Sequence, residues 1–155
     1  MPSESVGSHI FDEGTVSWVC FRSCLKRIDN IAVHSIDHNY FGYRPTFGSN
    51  GGETLRIGTS HYSLTNSFTL VENNIFEQTN GEVEIISVKS GKNTLRGNVF
   101  LSARGTLTLR HGNGNIVENN VFLGNEVAHT GGIRVINKDQ VIRNNYLEGL
   151  KGYRF

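Results

Sequence analysis

Two acidic segments carry the residues best suited to hold a cation. In residues 81–90, Glu82 and Glu84 alternate with apolar residues, so both carboxylates leave the same face of a strand. Asn50 and Glu53 lie upstream of Glu82, at a distance of one repeat of the chain plus a short excursion. Three carboxylates and an amide oxygen are hard donors of the kind that Ca²⁺ takes, whereas Mg²⁺ demands tighter geometry. Two interpretations follow: a Ca²⁺ site, or a solvated face on which the glutamates pair with Lys or Arg.

Basic residues recur downstream at nearly constant intervals. The step from Lys89 to Arg110 is close in length to the step from Arg110 to Arg134. If this interval is one turn of a repeating structure, the three side chains form an axial column beside the acidic pair. Clustered acids beside aligned bases are found at catalytic sites. Lys89 as a solvated surface lysine, or in a salt bridge with Glu84, would give the same pattern.

A repeated unit sets this interval. Asn followed by an apolar residue and then an aromatic or aliphatic one begins at Asn74, Asn98, Asn120 and Asn145. A further copy begins at Asn39, one longer step upstream. Such an even period is typical of solenoids, in which each repeat buries its apolar face only by stacking on its neighbours.

The segments between the Asn units have the character of strands. They are rich in β-branched and aromatic residues, and no helical apolar period extends over three turns. Asn tolerates left-handed backbone at a corner, and its amide can bond to the equivalent Asn one coil away. We therefore predict an all-β parallel β-helix, in preference to a β-sandwich. Ile75, Val99 and Val121 are expected to stack inside it together with the Phe residues that follow them.

Composition narrows the class of protein. The chain has 155 residues and a net charge of +1, and no basic run indicates a nucleic-acid partner. No apolar stretch is long enough to span a membrane, and no signal peptide is recognisable. Cys20 and Cys24 lack the further ligands of a zinc site, and a disulfide between them stays open.

The two ends differ from the repeats. Residues 1–27 contain no Asn unit, so we expect an atypical N-terminal segment there. Residues 28–155 hold the repeats, but no polar capping unit is visible at either end of them. The prediction is a truncated solenoid, part of a longer β-helix.

Three blocks resemble the signature of polysaccharide lyase family 6, the alginate lyase and chondroitinase B group. They are NGGETLRIG at residues 50–58, EVEIISVKS at 82–90 and RHG at 110–112, within a resemblance over about residues 28–155. The resemblance implies a right-handed parallel β-helix and a lyase domain over 28–155. It implies cleavage of a 4-linked uronate polymer by Ca²⁺-assisted β-elimination, with loss of the C5 proton and a 4,5-unsaturated product. Glu53 favours alginate, because the dermatan-cleaving type has Gly there.

The same resemblance implies roles for single residues. Lys89 would be the Brønsted base and Arg110 the Brønsted acid. Since a guanidinium rarely releases a proton, hydrogen bonding of the leaving O4 by Arg110, with a proton from water or from His111, stays open. The implied Ca²⁺ ligands are Asn50, Glu53, Glu82 and Glu84, and the implied groove-lining residues are Arg56, His111 and Arg134.

The resemblance also implies a partner and a location. The partner is an acidic polysaccharide, with alginate favoured over dermatan sulfate, and the protein is secreted or periplasmic. Two alternatives stay open. One is a carbohydrate-binding β-helix that no longer turns over its ligand, and the other is a lyase of the dermatan or chondroitin type.

Overall fold

The chain winds into successive coils made of short strands joined by corners. The computed structural model describes residues 26–28, 31–48 and 50–152, so Cys20, Cys24 and most of the predicted N-terminal segment lie outside the described residues. A short 3₁₀ helix at Ser60–Tyr62 lies in the excursion between residues 57 and 70. The strands are β1 (Lys26–Ile28), β2 (Ile31–Val33), β3 (Ser35–Asp37), β4 (Tyr40–Phe41), β5 (Leu55–Ile57), β6 (Leu70–Glu72), β7 (Ile75–Glu77), β8 (Glu84–Lys89), β9 (Thr94–Arg96), β10 (Val99–Leu101), β11 (Gly105–His111), β12 (Ile116–Glu118), β13 (Val121–Leu123), β14 (Thr130–Val135), β15 (Val141–Arg143) and β16 (Tyr146–Glu148).

Equivalent strands of successive coils form three parallel sheets. Sheet I contains β3, β6, β9, β12 and β15, and sheet II contains β4, β7, β10, β13 and β16. Sheet III contains β5, β8, β11 and β14, whereas β1 and β2 form a separate antiparallel pair. The predicted parallel β-helix is confirmed, because β8 and β11, like the other neighbours in these sheets, pair in parallel. In the described residues, no helix is long and apolar enough to cross a membrane.

Phenylalanine rings form the centre of the core behind sheet II. Phe41, Phe76, Phe100 and Phe122 stack with centroid separations of 4.6, 4.9 and 4.4 Å. The rings are nearly parallel because the residues occupy the same register position in four successive coils. The core continues behind the other sheets through buried aliphatic residues: Leu55, Ile57, Val71, Ile86, Val88, Leu95, Leu107, Leu109 and Val117.

The residue before each of these rings faces outward. The prediction that Ile75, Val99 and Val121 stack inside is wrong, since Ile75 is 42% exposed and the two valines are only half-buried. Successive residues of a strand point to opposite faces, so only one of each apolar pair enters the core. The larger Phe ring takes that position because it buries more apolar area.

An asparagine ladder joins the coils at the corner between sheets I and II, as predicted. Asn39, Asn74, Asn98, Asn120 and Asn145 are linked in order. The side-chain oxygen of each of the last four accepts from both the backbone N–H and the side-chain amide of its predecessor, at 2.9–3.1 Å. The ladder satisfies polar groups that the corner would otherwise bury without partners.

The left-handed backbone at this corner belongs to the residue before the ladder. φ is 55° at His38, 54° at Asn73, 62° at Gly97, 55° at Asn119 and 54° at Asn144. The ladder asparagines therefore serve as hydrogen-bonding residues rather than as left-handed ones, which corrects the reason expected for their presence. A second amide ladder, which the repeat count did not identify, runs through Asn93, Asn115 and Gln140.

Candidate active site

The outer face of sheet III carries the polar residues of the site. Ile86 and Val88 of β8 lie in the core, so Ser87 and Lys89 leave the opposite face. The strand register places Ser87 level with Arg56 in the preceding coil. In the following coils the same level holds Thr108 and Arg134, in register with one another; the complete row is Arg56, Ser87, Thr108 and Arg134.

Lys89, Arg110 and Arg134 do not form the single axial column that their spacing predicted. Lys89 is aligned with His111, and Arg134 is aligned with Thr108. A register shift just before His111 takes Arg110 out of alignment with either neighbour. Counting residues cannot detect such a bulge, because it adds one residue to one strand and none to its partner.

Three carboxylates are buried at the start of this face. Glu53, Glu82 and Glu84 are 5%, 9% and 3% exposed. The Nε of Arg56 donates to Glu53 Oε1 at 2.5 Å, and Nη1 of Arg110 donates to Glu84 Oε1 at 2.8 Å. Both basic side chains thus lie against the acidic cluster, as buried carboxylates require.

The carboxylates influence one another electrostatically. Burial raises the pKa of Glu82, and the negative charges of Glu53 and Glu84 raise it further. Burial also opposes ionisation of Glu53, but the hydrogen bond and charge of Arg56, with the charge of Lys89, leave the pKa of Glu53 below its ordinary value. Glu53 in turn raises the pKa of Arg56. The three acids and these bases therefore form one electrostatic unit.

The chemistry of this cluster fits an oxygen-preferring cation. Three of the four predicted ligands lie together, while Asn50 is exposed at the preceding bend. As they are arranged, no three His, Cys, Asp or Glu side chains among the described residues converge closely enough to hold a metal ion. However, Glu53 Oε2, Thr54 Oγ1 and Ser87 Oγ are buried without a hydrogen-bond partner. Orphaned oxygens beside mutually repelling carboxylates are what a hard divalent ion would satisfy.

Two hydroxyl residues of the site were not identified from the sequence. Ser87 and Thr108 are fully buried at the middle of the outer face, although both lie opposite the core. Arg110 lies beyond Thr106, which is aligned with Glu84, so its side chain runs back along the sheet to reach that glutamate. The sequence did contain a signal for Ser87. Side chains alternate between the two faces of a strand, so Ser87 lies on the same face as Lys89, two residues later.

Comparison with known proteins identifies the family. The sequence model of chondroitinase B matches residues 12–155. A solved structure of the family 6 alginate lyase AlyGC is 81% identical, with a TM-score of 0.77. The chain belongs to polysaccharide lyase family 6. A search of curated proteins gives no match.

Other solved members of polysaccharide lyase family 6 resemble the chain less closely. A mannuronic acid specific enzyme from human gut microbiota is 47% identical, with a TM-score of 0.74, and an alginate lyase in complex with a trisaccharide is 31% identical, with a TM-score of 0.69. The chain spans only part of these proteins. It covers 17% of AlyGC, 26% of the gut enzyme and 34% of the trisaccharide complex, while 78%, 76% and 78% of its own residues are matched.

Proposed function

We propose that this chain supplies the catalytic face of a polysaccharide lyase that cleaves alginate by Ca²⁺-assisted β-elimination. The observation that carries the proposal is that Lys89 and Arg110 stand on sheet III with three buried carboxylates at the start of its strands, one of them paired with Arg110. Family membership supports the proposal, because the chain belongs to a lyase family and is 81% identical to the alginate lyase AlyGC over the matched region.

Elimination of a 4-linked uronate breaks the C5–H and C4–O4 bonds and forms a C4–C5 double bond. Lys89, as the neutral amine, accepts the C5 proton, and the electron pair of that bond forms the new double bond as O4 leaves. Arg110 stabilises the negative charge that develops on O4 by donating hydrogen bonds from its charged guanidinium. We assign the proton that O4 takes up to water, because a guanidinium rarely releases a proton.

The acidic cluster would hold the cation. When bound, Ca²⁺ neutralises the uronate carboxylate next to C5 and so makes that proton easier to remove. The chain's own contribution is three carboxylates that are already buried next to one another along sheet III, Glu53, Glu82 and Glu84. The residues that would hold the ion are Asn50, Glu53, Glu82 and Glu84.

The remaining basic residues suit an acidic polymer. Arg56 and Arg134 share one row of sheet III, and His111 stands beside Lys89. Guanidinium groups spaced along a sheet can pair with the carboxylates of successive uronates. We therefore propose that Arg56, His111 and Arg134 line the polysaccharide groove. From its membership of the family, we also propose that the protein is secreted or periplasmic.

The assay is incubation of the chain with alginate in Ca²⁺ or in EDTA, with AlyGC as the positive control. Formation of the unsaturated uronate is followed by ultraviolet absorbance. We expect the absorbance to rise with alginate, to stop in EDTA and to resume when Ca²⁺ is restored. Turnover of dermatan sulfate alone would indicate the chondroitin type. Binding of alginate without a rise in absorbance would indicate a carbohydrate-binding β-helix.

A further inference from the structure

Two glycines bring the acid-bearing segments into contact. Gly52 directly precedes Glu53, and Gly81 directly precedes Glu82. A Cβ atom on Gly81 would lie 2.1 Å from the carbonyl oxygen of Gly52, and one on Gly52 would lie 2.5 Å from that of Gly81. Neither glycine has a positive φ, so the requirement for glycine is one of space and not of backbone conformation.

The same contact places the Gly52 backbone near the Glu82 side chain. Burial raises the pKa of the Glu82 carboxyl, and the Gly52 backbone opposes this effect. On the other side, in the next coil, a Cβ on Gly105 would lie 2.8 Å from the Glu82 carbonyl oxygen and 2.7 Å from that of Val83. Glycines in both neighbouring coils therefore confine the backbone that carries Glu82.

The distances show why a side chain would matter here. A Cβ atom essentially never lies within 3.0 Å of a non-bonded heavy atom. Gly81→Ala would therefore force the backbones at residues 52 and 81 apart. Ca²⁺ holds its oxygen ligands within a range of only about 0.3 Å, at roughly 2.3–2.6 Å. A displacement larger than that range would separate Glu53 from Glu82.

We propose that Gly52 and Gly81 are positioning residues whose contact sets the separation between the Glu53 and Glu82 carboxylates. The inference rests on the proposed function, because in that proposal the two carboxylates are ligands of a divalent cation. Both glycines act through the acids that follow them.

The chain provides a matched control at an equivalent corner. Gly124, like Gly81, lies between a strand of sheet II and one of sheet III, and it too has no positive φ. A Cβ on Gly124 would lie 2.3 Å from the carbonyl oxygen of Gly149 in the adjacent coil. Gly124→Ala thus introduces a comparable backbone clash in a coil that does not carry the acids.

The first experiment compares Gly81→Ala and Gly124→Ala with the parent by thermal unfolding and by calorimetric titration with Ca²⁺. We expect similar decreases in Tm for the two variants. Only Gly81→Ala should weaken Ca²⁺ binding, by about tenfold or more, as the loss of a supporting residue does at metal sites. Unchanged affinity in Gly81→Ala, or an equal loss in Gly124→Ala, would overturn the proposal.

The second experiment needs neither Ca²⁺ nor a backbone clash. Hydrogen exchange of the Gly52 amide is measured in the parent, in Glu82→Ala and in Glu84→Ala. Removal of the Glu82 acceptor should speed this exchange by about tenfold, while Glu84→Ala should leave it unchanged. Equal exchange in the parent and Glu82→Ala would show that the glycine does not hold the carboxylate. If the parent binds no Ca²⁺, the proposed cofactor is wrong, and the exchange result still decides the glycine contact.

Discussion

At the scale of single residues, the three clustered glutamates differ in what balances their charge. Glu53 and Glu84 form ion pairs with Arg56 and Arg110. Among the described ion pairs, none includes Glu82, and burial raises the pKa of its carboxyl despite the opposing effect of the Gly52 backbone. Glu82 is therefore the acid whose ionisation is least compensated by this chain's own cations.

We expect Glu82→Gln to raise Tm at neutral pH in Ca²⁺-free buffer. The folded-state pKa of Glu82 is raised above its unfolded value, first by burial and then by Glu53 and Glu84. The folded chain then binds this proton more tightly, so stability falls as pH rises from the unfolded pKa through the folded pKa. The gain in Tm of Glu82→Gln should therefore be present at pH values above the folded-state pKa of Glu82 and vanish at pH values below its unfolded-state pKa.

The control is Glu118→Gln, which removes an acid that is paired with Arg143 at 2.7 Å. That variant should show no gain in Tm at neutral pH. A decrease in Tm for Glu82→Gln would mean that the Glu82 carboxylate is compensated after all.

We expect Lys89→Ala to lower kcat for alginate cleavage by about 10²–10⁴-fold and to leave KM largely unchanged, because the lost group acts in the proton transfer. Initial rates of absorbance increase measure the effect. Lys138→Ala removes an exposed lysine beyond the end of sheet III and should keep parental rates. Near-parental turnover in Lys89→Ala would show that another residue takes the C5 proton.

At the scale of elements, stability comes from columns that repeat at one register position. The Phe column fills the core, and the Asn ladder satisfies the polar backbone at the adjacent corner. Each column ties a coil to both of its neighbours. A single substitution in a central coil therefore affects two interfaces.

Phe100→Ala should lower the free energy of unfolding by roughly 3–5 kcal/mol, since the ring is 3% exposed and stacks on Phe76 and Phe122. Val99→Ala is the matched change on the outer face and should cost less than about 1 kcal/mol, because Val99 is only half-buried. Urea denaturation measures both. Equal costs would contradict the assignment of inner and outer faces.

Asn98→Ala should cost at least about 2 kcal/mol, because it leaves several buried polar groups without partners. The Asn98 amide donates to the Val71 carbonyl and to Asn120, both at 3.0 Å, and its oxygen accepts from Asn74. Asn145→Ala should cost less, because Asn145 is half-buried and water can replace part of its bonds. Chemical denaturation that ranks the two variants in the opposite order would contradict the ladder's role.

At the scale of the whole molecule, inward-facing side chains are buried more completely in the central coils than in the last described coil. The central coils bury their inward residues almost completely, as at Phe76 and Leu95. In β15 and β16, Ile142 and Leu147 occupy the corresponding positions but are 38% and 46% exposed. Repeat proteins gain stability from each interface between neighbouring repeats, and among the described strands β15 and β16 each pair with one neighbour only.

Hydrogen exchange should therefore be graded along the axis. We expect the amides of β9 and β10 to exchange at least about tenfold more slowly than those of β15 and β16, because local opening takes less free energy where fewer apolar contacts are lost. Mass spectrometry of deuterated peptides measures the gradient. Uniform protection from β6 to β16 would mean that the coils unfold as one cooperative unit.

The sequence by itself determined the architecture and the candidate site. An Asn unit repeated at a nearly constant interval predicts a parallel β-helix, because a solenoid brings residues one period apart into contact. Residues 50–58 and 82–90 carry most of the candidate site residues, since their acids and Lys89 fall within short segments whose alternation is visible in the chain. Both inferences need only the number of residues between positions along the chain.

Only the tertiary structure decided which face each residue takes and how the coils align. Counting placed Val99 inside and Arg110 in one column with Lys89, but the phase of the pleat and a bulge in β11 placed them otherwise. The contact between Gly52 and Gly81 and the burial of Ser87 also depend on the distance between neighbouring coils. Faces, bulges and close approaches arise from packing between segments, and the spacing of residues along one chain does not contain them.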